Sequence, residues 1–217
     1  MTVIEPTESH PAPLRQYLPK AITPLRLVFW GGLLCILDFT VSSTVNGRGF
    51  KFDILNDALG MILITVGVFK LGAIPVHRQY HNAMTFVKVM AVIGIVQAVM
   101  DHFVLPMPAA IGFLSSLLSL ASLAAIVTFC VAMMWFCLEA GLPDVARSWK
   151  VTLILFVAIY LIPLGPFNLI AMGALLTGKS FHINLGPLAI LLILVFLVPI
   201  VHLFISTSRM KRAAERN

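Results

Sequence analysis

Six stretches of this chain stay apolar long enough to cross a slab of hydrocarbon, and that feature most limits what it can fold into. They are residues 27–44, 54–73, 83–103, 108–138, 149–171 and 187–206. A spanning α-helix needs about 20 mostly apolar residues, because a bilayer core is ~30 Å thick and each residue rises 1.5 Å. Soluble domains carry charge at about a quarter of their positions; here the share is 11%, against 59% hydrophobic. A bilayer accommodates that excess, because every face of a spanning helix may be apolar. The pattern predicts an all-α polytopic membrane bundle of about six transmembrane helices, with no soluble domain.

Lys and Arg set the orientation, since cytoplasmic loops retain positive charge. With the N-terminus inside, Arg15, Lys20, Arg26, Lys70, Arg78, Lys88, Arg147, Lys150, Arg209, Lys211, Arg212 and Arg216 fall on the cytoplasmic side. Arg48, Lys51 and Lys179 fall outside, a division of 12 against 3 that uses all 15 basic residues. A wrong span count would scramble this alternation, so the bias predicts both termini in the cytoplasm, as for a multi-pass protein of a cell inner membrane. The chain divides into a disordered cytoplasmic lead at 1–22, a six-span bundle at 23–208 and a basic cytoplasmic tail at 209–217. The basic excess needs no nucleic acid: juxtamembrane Lys and Arg suit the anionic lipids of the cytoplasmic face. The expected partners are therefore that lipid surface and another membrane protein or a second copy of the chain.

Between the runs lie turn-rich pieces, such as Asn46-Gly47-Arg48-Gly49, Ile74-Pro75-Val76-His77 and Gly141-Leu142-Pro143-Asp144. The fourth run, 31 residues or ~46 Å, exceeds a bilayer core and must tilt, break or start along the interface. Ser115, Ser119 and Ser122 share one face of it, as a close-packing seam or the polar lining of a passage. Pro163-Leu164-Gly165-Pro166 predicts a kink near the outer end of the fifth span.

An ionisable residue at membrane depth is costly and points to function. Asp38, deep in the first run, is the clearest case. Asp53 and Asp57 at the start of the second span, and Gln97, Asp101 and His102 at the end of the third, lie near the outer end, with Asn168 and His182 at a similar level. Together they would form an outward polar pocket with Asp38 at its floor. The plainer roles are capping by Asp53, dipole complementation by Asp57, and headgroup-zone positions for Asp101 and His102. His102 and His182 near the outer level, and His77, His81 and His202 near the inner level, suggest a two-haem bundle with His102, His182 and His202 as candidate ligands, but no helix carries two histidines a leaflet apart, so no cofactor is expected. His202, just after Pro199, reads as a helix-end residue. Cys35, Cys130 and Cys137 read as packing residues rather than metal ligands.

Phe52-Asp53-Ile54-Leu55-Asn56-Asp57-Ala58-Leu59-Gly60 resembles a motif of a family of small, uncharacterised polytopic bacterial membrane proteins. The usual form of that motif is Phe-Asp-Ile-Leu-Pro-Asp-x-x-Gly followed by an apolar helix. Here Asn56 replaces the proline, and Met61 stands where an aromatic residue is common. The resemblance covers residues 52–71 and implies a bacterial inner-membrane protein of about six spans, with no known activity. Read physically, Gly60 and Gly67 at i, i+7 make a flat face for a neighbouring helix.

Three classes of function fit these residues. The favoured one is a non-enzymatic accessory or scaffold subunit of a membrane complex, because no dense polar constellation is visible. The others are a transporter or channel for a small solute or lipid, with its site at Asp38, and an intramembrane acid–base enzyme acting on a lipid or isoprenoid. The enzyme would require Asp38 to converge with Asp53, Asp57 or Asp101.

Overall fold

The structure is a computed structural model and describes residues 14–36, 41–45, 48–52, 54–103, 109–177 and 188–216. A 3-10 turn, Leu14–Tyr17, leads into α1 (Leu18–Ile36). A two-stranded antiparallel hairpin follows, β1 (Val41–Val45) with β2 (Arg48–Phe52), in a register that pairs Val41 with Phe52 and Val45 with Arg48. Then come α2 (Ile54–Leu71), α3 (Arg78–Phe103), α4 (Ala109–Glu139) and α5 (Pro143–Phe156). A π-helical turn, Val157–Leu161, joins α5 to α6 (Ile162–Thr177), and α7 (Leu188–Glu215) ends the chain.

Among the described residues four helical stretches are long and apolar enough to cross a membrane: Arg78–Met100, Ala110–Glu139, Pro143–Thr177 and Leu194–Glu215. Their outward faces stay greasy. Val89, Val92, Val96 and Val99 form an exposed stripe on α3, and Leu191, Leu194, Val198 and Val201 form another on α7. Exposed apolar stripes on every long helix cannot be sustained in water. This is the construction of a membrane protein.

Two expectations about the first span are corrected. The helix starts at Leu18, inside the stretch read as a disordered lead, and it ends at Ile36 rather than near residue 44. Leu18, Ala21, Ile22 and Leu25 recur at helical spacing and are buried, which holds the early turns in place. Residues 41–44, read as the end of an apolar span, belong to the hairpin instead. A β-branched run ahead of Asn46-Gly47 favours a strand and tight turn over another helical turn. The basic tail is likewise no separate segment, because α7 runs through it to Glu215.

Helix ends follow local chemistry. Gly141, at φ +70°, closes α4: the Leu142 N–H reaches the Cys137 carbonyl and the Gly141 N–H that of Leu138, both at 2.9 Å. This is a glycine C-cap with both backbone bonds made. His77 caps α3 by accepting the Tyr80 N–H on Nδ1 at 3.2 Å. The expected kink takes the form of the π turn: the Ile162 N–H bonds the Val157 carbonyl, one residue beyond α spacing. Pro163, following directly, has no N–H and crowds the carbonyl four residues back, so the ladder loosens there.

Neighbouring helices form a closed ring, α1–α2–α3–α4–α5–α7 and back to α1, while α6 leans on α4. The α1–α2 seam is the tightest. A Cβ on Gly67 would lie 2.6 Å from the Pro24 carbonyl oxygen, and one on Gly60 2.7 Å from that of Gly31. The flat Gly60/Gly67 face expected from the sequence does receive a helix.

Burial is one-sided along the bundle. The core comprises the start of α1, the end of α2, the start of α3, the later turns of α4, all of α5 and the later turns of α7. Trp149, Tyr80, Phe136, Met133 and Met210 fill it. The other half is far more open, and α6 buries no residue at all.

Candidate functional site

Where the packed core stops, the ring of helices lines an open-sided cavity of about 420 Å³. Every helix except α6 contributes to its wall. On α2 the lining runs from Asp57 to Val68, and on α3 from Val87 to Ala98. Each stretch spans eleven rises of 1.5 Å, which makes a slot about 16 Å long, roughly parallel to the helices. Its inner end is apolar, walled by Val68, Val87, Phe129, Phe156 and Leu203; its other end carries Asp57, Gln97, Ser119 and Ser122.

The polar end is pre-arranged by hydrogen bonds between helices. The Gln97 amide donates to Ser115 Oγ at 2.9 Å and to Ser119 Oγ at 3.2 Å, tying α3 to α4. Ser119 in turn donates to the Ser115 carbonyl at 3.0 Å, so the two serines turn toward the glutamine as a unit. Thr65 bridges α2 to α3 by donating to the Ala91 carbonyl at 3.2 Å as well as to Met61 in its own helix. Asp57 Oδ1 is sealed from solvent beneath this layer, and the Cys35 thiol of α1 lies 3.9 Å from the Asp57 backbone carbonyl. The serine seam of α4 therefore serves as both packing surface and cavity lining.

Of the carboxylates picked from the sequence, Asp57 is on the cavity wall. Asp38 and Asp53 lie outside the described residues, as does His182. Asp101 and His102 are in the last turns of α3, with their side chains outside the description. Among the described residues no second carboxylate lines the cavity beside Asp57, and no group of three or more His, Cys, Asp or Glu is placed to hold a metal ion.

His202 needs correction, because it is not at a helix end. It sits within α7, in a hydrogen-bonded cluster between α5 and α7 that the sequence reading missed. Thr152 Oγ1 lies 2.9 Å from His202 Nδ1 and 2.9 Å from Ser206 Oγ, and Ser206 shares a 2.8 Å bond with Ser148. The hydroxyl-bearing residues are buried. The available signal was a matched pair of i, i+4 steps, Ser148/Thr152 and His202/Ser206, on two apolar helices. With its hydroxyls mutually satisfied, the cluster fastens α5 to α7. Cys130 and Cys137 are likewise structural, fully enclosed with Met133 in the packed half.

Compared with family models, with curated proteins and with solved structures, the chain matches none.

Proposed function

We propose that this is a six-span protein of a bacterial inner membrane, with both termini cytoplasmic, whose interior binds a small, largely apolar molecule with one hydrogen-bonding end. α1 and α2 complete the six crossings alongside the four long apolar stretches, and the Lys and Arg distribution supports the orientation. The observation that carries the binding assignment is the slot: about 420 Å³, apolar along most of its length, with Asp57, Gln97 and two serines gathered at one end. Ligand sites are concave, mostly apolar and fixed in orientation by a few polar groups, and bundle interiors are a common place for them. A scaffold subunit needs no such slot, so lipid handling or small-molecule transport fits the cavity better.

The test uses a photoactivatable fatty-acid or isoprenoid probe on the protein in nanodiscs, with crosslinked peptides mapped by mass spectrometry. Crosslinks should fall on cavity-lining stretches of α2, α3 and α4 and disappear in Ser122→Phe, which fills the slot. If only the outer apolar stripes crosslink, and Ser122→Phe labels like the native chain, the interior is not a binding site.

A further inference from the structure

A second cavity, of about 510 Å³, lies at the opposite end of the bundle from the polar cluster, and four arginines line it. Arg209 and Arg212 come from the last turns of α7, and Arg216 directly follows its end. Arg15 comes from the 3-10 turn before α1, and its guanidinium is anchored by donation from Nε to the Ala140 carbonyl at 3.1 Å. The loop Gly141-Leu142-Pro143 and the first turn of α5 form the floor.

The charge balance of this pocket is lopsided. Among the described residues the only acid on its wall is Asp144, whose ion pair, at 3.8 Å, is with Arg147 outside the pocket. Glu215, the acid nearest the stripe in sequence, pairs with Lys211 at 3.2 Å. Among the described residues no carboxylate lies within 4.0 Å of Arg209, Arg212 or Arg216. Arg209 and Arg212 share a face of α7 at i, i+3, and Arg216 lines the same pocket just past the helix end, so like charges repel there. An anion seated between them would relieve that repulsion.

Two features specify the anion. The basic lining consists of arginine alone, while Lys20, Lys150 and Lys211 at the same end stay outside it. A guanidinium presents a planar fork of donors that matches phosphate oxygens, whereas an ammonium is a point charge. The start of α5 also faces the pocket: its N-cap residue, Leu142, makes no side-chain cap, and Pro143 has no N–H to offer. That leaves the first-turn donors and the positive end of the helix dipole open to an anion.

We propose that the four-arginine pocket is a binding site for a phosphate ester, supplied by the headgroup of an anionic membrane lipid. It is distinct from the interior slot and does not depend on what the slot binds. Composition alone implies only diffuse attraction to a negative surface, whereas this site is specific to arginine position.

The experiment uses the full-length protein in phosphatidylcholine nanodiscs and reads thermal unfolding and native mass spectra as phosphatidic acid or phosphatidylglycerol is added. The native protein should be stabilised by these anionic phospholipids, whose phosphate charge no choline offsets, over zwitterionic phosphatidylcholine alone. Arg212→Gln/Arg216→Gln should weaken the apparent affinity about tenfold or more, or ~1.4 kcal/mol, while Lys20→Gln and Lys150→Gln leave it nearly unchanged. Melting without added anionic lipid shows whether each variant is folded. Glycerol phosphate in the buffer separates the sources: failure to displace the lipid assigns the site to headgroups, and displacement assigns it to water-soluble phosphate esters. Equal losses in the lysine and arginine variants, or no preference for anionic phospholipid over zwitterionic phosphatidylcholine, would overturn the proposal.

Discussion

Following α4 from end to end passes through both halves of the molecule. Leu114 and Leu117, early in the helix, are about half exposed, whereas Cys130, Met133, Phe136 and Cys137, four turns later, are fully enclosed. The helix is apolar throughout, so hydrophobicity does not separate the two regions. Neighbours do. The later turns of α4 meet α5, which inserts Trp149 against Phe129 with ring centroids 6.0 Å apart, while the earlier turns meet the slot and the thinly packed α6. In water an open apolar half would collapse or aggregate. In a bilayer, lipid tails solvate it as well as protein does, and helix association is driven by packing and polar bonds instead. A membrane bundle can therefore keep one half solid and leave the other hollow.

The contrast predicts unequal responses to substitution. The largest should come from Trp149→Ala, which empties the best-packed point of the solid half. The expected loss is about 3 kcal/mol, the low end of the range for large aromatic truncations, because lipid-solvated reference states return less transfer energy. Leu176→Ala on α6, at a position 74% exposed, should change unfolding by under ~0.5 kcal/mol. Reversible unfolding of both variants in mixed micelles checks the pair.

Gly67→Ala should follow, at ~1–3 kcal/mol, because its Cβ meets the backbone carbonyl of Pro24, which cannot swing aside. Gly173→Ala is the matched control in the open half. Nothing lies within 4 Å of a Cβ there, so the variant should be neutral or gain up to ~1 kcal/mol from helix propensity. Equal destabilisation by the two alanines would remove the distinction between halves.

Thr152→Val, which cuts both bonds that fasten α5 to α7 through that hydroxyl, should cost ~1–2 kcal/mol. Gln97→Leu should have the smallest effect on unfolding, under ~1 kcal/mol, since its amide bonds a wall that is already open. It should nevertheless abolish the hydrogen-bonding end of the slot and reduce probe crosslinking. A Gln97→Leu chain that loses more stability than Thr152→Val yet keeps full crosslinking would reverse the roles assigned to these two polar clusters.

The sequence disclosed some of these features and hid others, for physical reasons. Apolar runs of spanning length are a local property, so helices over the last four runs could be read directly. The start of α1 is disguised in the sequence: Leu18, Ala21, Ile22 and Leu25 follow helical spacing, but Pro19, Lys20 and Pro24 among them resemble a loop. Proline is tolerated in a first helical turn, and a lysine stem can lie along apolar surface. The hairpin was hidden in the opposite way, its β-branched first strand absorbed into an apolar run despite the Asn46-Gly47 turn signal that follows. Asp57, Gln97 and the α4 serines were legible as polar groups, but the slot they line was not, because a cavity depends on how six helices fail to fill their shared axis. Gln97 and Ser119 had been noticed on separate helices, and only the fold shows that they bond. The arginine pocket is split between residues 15 and 209–216, a separation that no local pattern reports.

The native cysteines allow the most direct test of the two-halves account. Cys35 lines the slot, whereas Cys130 and Cys137 lie in the solid core. A small membrane-permeant maleimide, applied to the unaltered protein in nanodiscs and followed by peptide mass spectrometry over time, reads all three at once. The account predicts modification of Cys35 well before either of the others, and slowing of that reaction when Ser122→Phe fills the slot. Equal labelling of the three thiols, or a Cys35 as inert as Cys130, would mean that the interior is packed alike along its whole length.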